Sequence, residues 1–76
     1  MRLKLKELRQ KHGHSQRDAA NGTATTKENF GFIENGKRIG TLPFWLRLQA
    51  FYELSNAEIW DIAKEGVSLE NNNTPR

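Results

Sequence analysis

The chain has 76 residues, no cysteine and a formal net charge of +3 at pH 7. This length predicts one domain with a small core, and the lack of cysteine excludes a disulfide framework. The sequence has no unbroken apolar run of about eighteen residues and no signal-like segment near its start, which excludes a transmembrane helix. We therefore expect a soluble, cytoplasmic protein with no membrane partner.

Positive charge is concentrated in the first part of the chain. Up to Arg47, ten basic residues stand against four acidic ones, a balance of +6, whereas the two basic and five acidic residues from Leu48 onward give −3. A basic front and an acidic back suit a protein that lays one side on a polyanion. An ordinary solvated surface explains the same charges, so charge alone leaves both interpretations open.

The first predicted helix contains Leu5 and Leu8, which share a face because they are three residues apart, and it ends at Gly13. His12 and His14 flank that glycine. A metal site needs three or four converging ligands, and the chain has no cysteine to help. We therefore interpret the histidines as exposed turn residues and expect no bound metal.

The stretch from Ser15 to Gly36 predicts two short helices joined by a tight turn. Ser15 is a favourable N-cap, and Asp18 adds negative charge where the helix dipole is positive, so the first of these helices should begin at Gln16. Asn21-Gly22 favours a left-handed or turn conformation and predicts the turn.

Thr26 is the next favourable N-cap, and it predicts the start of the second helix of this stretch. Phe30 and Ile33, three residues apart, give that helix one buried face before Asn35-Gly36 ends it. The residues left to face outward are Lys27, Glu28, Asn29, Gly31 and Phe32.

A basic loop, residues 37–40, precedes the fourth predicted helix. Thr41 is its N-cap, and Pro43 lies in the first turn, where a missing N–H costs nothing. Residues at three- and four-residue steps are expected in the core: Leu42, Trp45, Leu46, Leu48, Gln49 and Tyr52.

Ser55 and Glu58 have the spacing of a capping box and predict the start of a fifth helix, which Gly66 ends. The sequence thus predicts an all-α fold, a compact bundle of five short helices that spans residues 1–66. Residues 67–76 have little to bury and are expected to form a flexible C-terminal tail.

No catalytic constellation is evident in the sequence. The serines are better explained as caps or tail residues, and neither a phosphate-binding glycine loop nor a paired-carboxylate motif occurs. We therefore expect a protein that is not an enzyme, with no cofactor and no small-molecule ligand.

Three segments together resemble the Cro/repressor (lambda-repressor-like, XRE-family) helix-turn-helix proteins of phages and bacteria. They are LKELR at residues 5–9, Ser15-Gln16 and IENGKR at residues 33–38. The spacing from Ser15-Gln16 to IENG at residues 33–36 fits without an insertion, and the resemblance covers residues 3–60. It implies a helix-turn-helix at helices 2 and 3, in which the second helix enters the major groove of DNA and dimers bind two half-sites.

The resemblance also implies roles for individual residues. Arg9 and Glu34 match the family's structural ion pair between helix 1 and the end of helix 3. Residues that match phosphate-contacting positions are Gln16, Arg17, Asn35, Lys37 and Arg38. Residues at the start of helix 3 that would contact DNA, with the last three facing base edges, are Thr26, Lys27, Glu28 and Asn29.

Several residues depart from the family pattern. Ala19 and Thr23 stand where leucines usually pack the two motif helices, and Ala24 replaces a turn glycine, so we expect a loosely packed motif. Glu28, Gly31, Phe32 and Phe44 would suit a contact with a protein partner, with the two phenylalanines as exposed aromatics. Alternatively, Phe32 fills the space that Thr23 leaves.

Two functional hypotheses follow. The first is a small transcriptional regulator, from a phage or prophage lysis-lysogeny switch, that binds double-stranded operator DNA and dimerises weakly through its C-terminal helices. The second is an antirepressor, a modulator that uses the same fold to bind a phage repressor and block its DNA-binding face.

Overall fold

The computed structural model of the chain describes residues 1–65, which form five α-helices. They are α1 (Leu3–Lys11), α2 (Gln16–Gly22), α3 (Lys27–Glu34), α4 (Leu42–Tyr52) and α5 (Asn56–Lys64). These residues contain no strand, so the prediction of an all-α fold with five short helices is confirmed. Gly66 and the predicted tail, residues 67–76, lie outside the described residues.

Side-chain caps begin four of the helices at the residues that the sequence predicted. Each cap hydroxyl accepts a hydrogen bond from the backbone N–H three residues later, at 3.1 to 3.3 Å. Asp18 and Glu58 return a bond to the backbone N–H of their cap serine, so α2 and α5 begin with complete capping boxes. The four caps are Ser15, Thr26, Thr41 and Ser55.

The turn between α2 and α3 lies later than the sequence predicted. Asn21-Gly22 continues α2, and the chain reverses at Ala24, whose φ of 57° is left-handed. Thr23 is fully buried, and its hydroxyl donates to the carbonyl oxygen of Ala19 at 2.8 Å. A small side chain with a satisfied hydroxyl therefore fills this buried position at the end of α2.

One hydrophobic core lies between the helices, and the part of it that comes from α4 differs from the prediction. Phe44 is only 2% exposed and contacts Phe30 and Trp45 edge to face, with ring centroids 6.0 and 4.9 Å apart. The core consists of Leu5, Ala19, Ala20, Phe30, Ile33, Phe44, Trp45, Leu48, Tyr52 and Ile62.

Two predicted core residues of α4 lie at the surface instead, with Leu42 70% and Leu46 55% exposed. Phe44, Leu48 and Tyr52 follow one another at four-residue steps and form the inward stripe of the helix. Because a helix that buried Leu42 and Leu46 would turn Phe44 outward, the larger aromatic side chain decides the orientation of α4. The prediction that Phe44 is an exposed aromatic is wrong for the same reason.

The guanidinium of Arg2 is buried near the start of α1, although the sequence placed this residue in the basic surface. It is 1% exposed and donates to the carbonyl oxygens of Ile33 at 2.6 Å, Arg38 at 2.9 Å and Ala63 at 3.2 Å. The ring of Trp45 lies 5.2 Å from its Cζ. Arg2 therefore ties the end of α3, the following loop and the end of α5 to one another.

His12 and His14 differ in their environments. His12 is exposed, as predicted, whereas His14 is half-buried, with Nδ1 2.9 Å from the Tyr52 hydroxyl and its ring stacked on Phe51. Residues 1–65 contain no group of three or more side chains placed to hold a metal ion. None of the described helices has the length and apolar character needed to cross a lipid bilayer.

Candidate nucleic-acid interface

The outward face of α3 presents polar and charged side chains beside one aromatic ring. Lys27 and Glu28 are exposed in the first turn, and Asn29 is half-buried. Phe32 follows one turn later and is 38% exposed. This face therefore holds four of the residues that the sequence predicted to meet DNA or a protein.

Asn29 is held in place by two side chains. Its Nδ2 donates to the hydroxyl of Thr25 at 2.8 Å, and its Oδ1 accepts from Nη1 of Arg38 at 2.7 Å. Both polar groups of the amide are therefore engaged within the protein. A bidentate contact with adenine needs one donor and one acceptor from the same amide, and these bonds leave the second N–H of Nδ2 and the second lone pair of Oδ1 for it.

The side chain of Arg38 folds back along α3. Its Cζ is 4.6 Å from the ring centroid of Phe32, a cation–π contact. The backbone N–H groups of Lys37 and Arg38 donate to the carbonyl oxygen of Phe32 at 2.8 and 3.2 Å, so the chain folds back over the last turn of the helix. Gly36, with a φ of 82°, makes that reversal without steric cost.

Exposed cations lie at both ends of the α2–α3 unit. Arg17 is exposed at the start of α2, and Lys27 is exposed at the start of α3. Lys37 is exposed in the loop after α3, next to the exposed C-cap residue Asn35. The three charged groups are therefore open to solvent and free to meet a polyanion.

Gln16 has a structural partner that the sequence did not indicate. It is half-buried, and its Nε2 donates to Oε2 of Glu34 at 3.3 Å. An ideal Cβ on Gly31 would lie 3.5 Å from Oε1 of Gln16, which is ordinary van der Waals contact. Gln16 therefore links the first turn of α2 to α3.

Arg9 and Glu34 form a two-bond ion pair beneath the interface. Arg9 Nε and Nη2 lie 2.9 and 3.1 Å from the two carboxylate oxygens of Glu34, and Nη1 donates to the carbonyl oxygen of His14 at 2.9 Å. Both side chains are buried. The hydrogen bonds to Glu34 raise the pKa of the Arg9 guanidinium, and burial opposes them. The pair fixes the end of α3 to α1.

The structure places most of the predicted site residues on α2, on α3 and in the loop that follows, but it separates Phe44 from them. Phe44 lies in the core, away from any surface. Phe32 packs under Arg38 at the surface, whereas Thr23 is fully buried. Thr25 was missed as a partner of Asn29, because a hydrogen bond between side chains in a turn and a helix leaves no periodic signal in the sequence.

A second exposed surface lies between α4 and α5. Its side chains are apolar and project into solvent, with Trp60 60% and Ile39 67% exposed in addition to the two leucines of α4. The groove between them is lined by Leu42, Trp45, Leu46, Ile59, Trp60 and Ala63.

Comparisons with known proteins identify no relative of this chain. No protein-family model matches the chain, and no curated protein and no solved structure matches it at a significant level.

Proposed function

We propose that this protein is a small transcriptional regulator of a phage or prophage switch, and that α3 binds operator DNA. The proposal includes a lambda-repressor-like fold, in which α2 and α3 form the helix-turn-helix that the residue pattern at 5–9, 15–16 and 33–38 implies. In that arrangement α3 lies in the major groove and α2 braces it. Such a regulator acts in the cytoplasm, where its operator is.

Exposed cations at the starts of α2 and α3 and in the loop after α3 carry the proposal. Arg17, Lys27 and Lys37 are exposed at the ends of α2 and α3, with Asn35 beside the last of them. Phosphates line both edges of a DNA groove, and lysine, arginine and asparagine side chains are their usual partners. The polar first turn of α3 would then meet base edges between the two rows of phosphates.

The bonds beneath α3 support the same function. A helix that selects a DNA sequence must hold its side chains in one position, because each loosely held group loses entropy on binding. The Arg9–Glu34 pair and the bond from Gln16 anchor α3 to α1 and α2. This anchoring offsets the loose packing that Ala19 and Thr23 predict.

The antirepressor remains the second candidate, and one observation favours it. Phe32 is 38% exposed on the outward face of α3, close to the exposed carboxylate of Glu28. An exposed aromatic is typical of a protein interface, and a carboxylate is repelled by DNA phosphates unless a cytosine amine meets it. In this alternative the same face binds a phage repressor and blocks its contact with DNA.

A binding assay with duplex DNA tests the first candidate. Duplexes selected from a random-sequence library should bind the protein, and the logarithm of the affinity should fall linearly with the logarithm of salt concentration. Lys37→Ala should weaken binding to all duplexes alike and reduce the slope by about 1. Lys64→Ala removes the same charge from α5 and should leave the slope unchanged. Absence of duplex binding at low salt would contradict this function.

Co-elution with a repressor tests the second candidate. If the protein is an antirepressor, a mixture with the repressor encoded beside it elutes as a mixed complex, and Phe32→Ala removes that complex. Phe51, 40% exposed on α4, provides a matched control, and Phe51→Ala should leave the complex intact. Separate elution of the two proteins excludes the antirepressor.

A further inference from the structure

We infer that Arg38 is the residue that selects a base, by donating to the major-groove edge of a guanine while Phe32 and Asn29 hold its guanidinium against α3. The inference rests on the proposed DNA binding and assigns a different role to a residue that the sequence pattern placed on a phosphate. It identifies the specificity determinant of the interface as a side chain of the loop after α3.

The backbone after α3 aims Arg38 at the outward face of the helix. The N–H groups of Lys37 and Arg38 both donate to the carbonyl oxygen of Phe32, at 2.8 and 3.2 Å. The carbonyl oxygen of Arg38 accepts from Nη1 of the buried Arg2 at 2.9 Å. The main chain at Arg38 is therefore fixed on two sides, and its side chain starts from a defined position beside α3.

The guanidinium itself is fixed by two neighbours. Nη1 donates to Oδ1 of Asn29 at 2.7 Å, and Cζ lies 4.6 Å from the ring centroid of Phe32. In residues 1–65 the ion pairs are Arg9–Glu34 and Lys64–Asp61, so no carboxylate of these residues neutralises Arg38. The positive charge is held in place and stays open to a ligand.

The chemistry of the group favours guanine. A guanidinium has five N–H donors in a planar fork, and the bond to Asn29 uses one of them. Two parallel N–H groups match the O6 and N7 acceptors of guanine, which is the commonest specific contact between an arginine and a base pair. Because the ring of Phe32 and the amide of Asn29 already hold the guanidinium of Arg38, it loses little conformational entropy on binding.

The alternative base-selecting residues of the same face are less well suited. The amide of Asn29 already bonds to Thr25 and Arg38, so only the second N–H of Nδ2 and the second lone pair of Oδ1 are left for a contact with adenine, and the two bonds fix the orientation of the amide. Lys27 presents a point charge on a flexible stem, which suits a phosphate better than a base edge. Asn29 is thus a positioning residue for Arg38.

The test separates the effect of the paired N–H donors of Arg38 from the effect of its positive charge. Duplexes selected from a random library should share a guanine that the wild-type protein prefers by about 5- to 150-fold over other bases at that position. Arg38→Lys keeps the positive charge but loses the two parallel N–H donors. It should therefore abolish the preference for guanine, while its affinity for random duplex DNA stays within about threefold of that of the wild type. Replacing the selected guanine by 7-deazaguanine, which lacks the N7 acceptor, should weaken binding of the wild type and leave Arg38→Lys unaffected.

Three further variants complete the experiment. Asn29→Ala and Phe32→Leu should each reduce the preference for guanine without abolishing it, because each removes one support of the guanidinium. Lys37→Ala, which changes the neighbouring cation, should weaken binding to every duplex and keep the preference. The helical circular dichroism of Arg38→Lys should equal that of the wild type.

The outcomes distinguish the inference from the proposed function. If Arg38→Lys keeps the base preference, or if Arg38→Ala weakens all duplexes equally as Lys37→Ala does, Arg38 is a phosphate contact and the inference is wrong while DNA binding stands. If the wild-type protein binds no duplex at low salt, both the proposed function and the inference are wrong.

Discussion

Arg2 donates through Nε and Nη2 to the carbonyl oxygen of Ala63, at 3.2 Å in each case, and so joins the start of the chain to the end of α5. The backbone N–H of Arg2 donates to the carbonyl oxygen of Glu34 at 2.7 Å. Burial lowers the pKa of this guanidinium, and the negative charge of Glu65 opposes the shift. A buried charge bonded to carbonyl oxygens in three parts of the chain is a tertiary anchor.

Substitution of Arg2 should therefore destabilise the protein strongly. Arg2→Met leaves several buried carbonyl oxygens without a donor, and we expect a loss of about 3 kcal/mol or more in the free energy of unfolding. Arg2→Lys should be nearly as harmful, because three donors on one nitrogen do not reach the separated acceptors. Urea denaturation measures the change, with the exposed Lys4→Met as the control that should change stability by less than about 0.5 kcal/mol.

The Arg9–Glu34 pair should behave as a buried unit. Glu34→Leu alone leaves the Arg9 guanidinium buried without a carboxylate, with only the carbonyl oxygen of His14 as its acceptor, and should cost about 3 to 5 kcal/mol. The double substitution Arg9→Met with Glu34→Leu should recover most of that loss, since an apolar pair of similar volume replaces both charges. Denaturation of the single and double variants tests this, and Asp61→Asn, which breaks the exposed pair with Lys64, should cost about 0 to 1 kcal/mol. An additive double variant would contradict the coupling.

Two glycines in helices should respond differently to alanine. Gly31→Ala adds a Cβ in ordinary contact with Gln16 and should stabilise α3 by about 1 kcal/mol through helix propensity. At Gly22 the same Cβ would overlap the ring of Phe51, which would have to leave its stack on His14. Gly22→Ala should therefore bring no gain or a loss. Thermal unfolding of both variants tests this contrast, and equal gains would contradict it.

Tyr52 should make stability depend on pH at the alkaline end. Burial raises the pKa of its hydroxyl above the ordinary value of 10.0, and the nearby Arg9 opposes this shift. The folded state therefore favours the neutral phenol. The neutral Tyr52 hydroxyl contributes fully to the free energy of unfolding below the pKa that it has in the unfolded chain. This contribution is lost as the pH rises through its pKa in the folded protein.

The near-ultraviolet absorbance of phenolate measures this titration without ambiguity, because Tyr52 is the only tyrosine in the sequence. We expect the midpoint in the native protein to lie above the midpoint in denaturant, which should be about 10. Coincident midpoints would show that burial does not control the hydroxyl.

Trp60 should control self-association if a second copy covers the surface between α4 and α5, as the proposed weak homodimer requires. Its ring is 60% exposed beside Leu42 and Leu46. Trp60→Ser should shift the sedimentation of the concentrated protein towards the monomer, because removal of a large aromatic from the centre of an interface costs most affinity. Phe51→Ser serves as the control, and equal effects of the two substitutions would place the dimer contact elsewhere.

The positions of the helices were predictable from the sequence because their signals are local. A cap hydroxyl and the N–H that it satisfies lie three residues apart, so Ser15, Thr26, Thr41 and Ser55 indicate helix starts whatever surrounds them. The end of α3 is also indicated locally, because Asn35-Gly36 is itself the signal that ends the helix. The candidate site stays a prediction; the sequence places its residues on α2, on α3 and in the loop that follows.

Tertiary structure decided which side chains those helices bury and what the site residues contact. The sequence of α4 allows either Leu42 and Leu46 or Phe44 to face inward, and the contact of Phe44 with Phe30 selects one face. The burial of Arg2 and the return of Arg38 over α3 depend on partners that lie far away in the chain or across a turn. Local hydrogen bonds determine where a helix begins, whereas the free energy of burial depends on surfaces that meet only in the folded molecule.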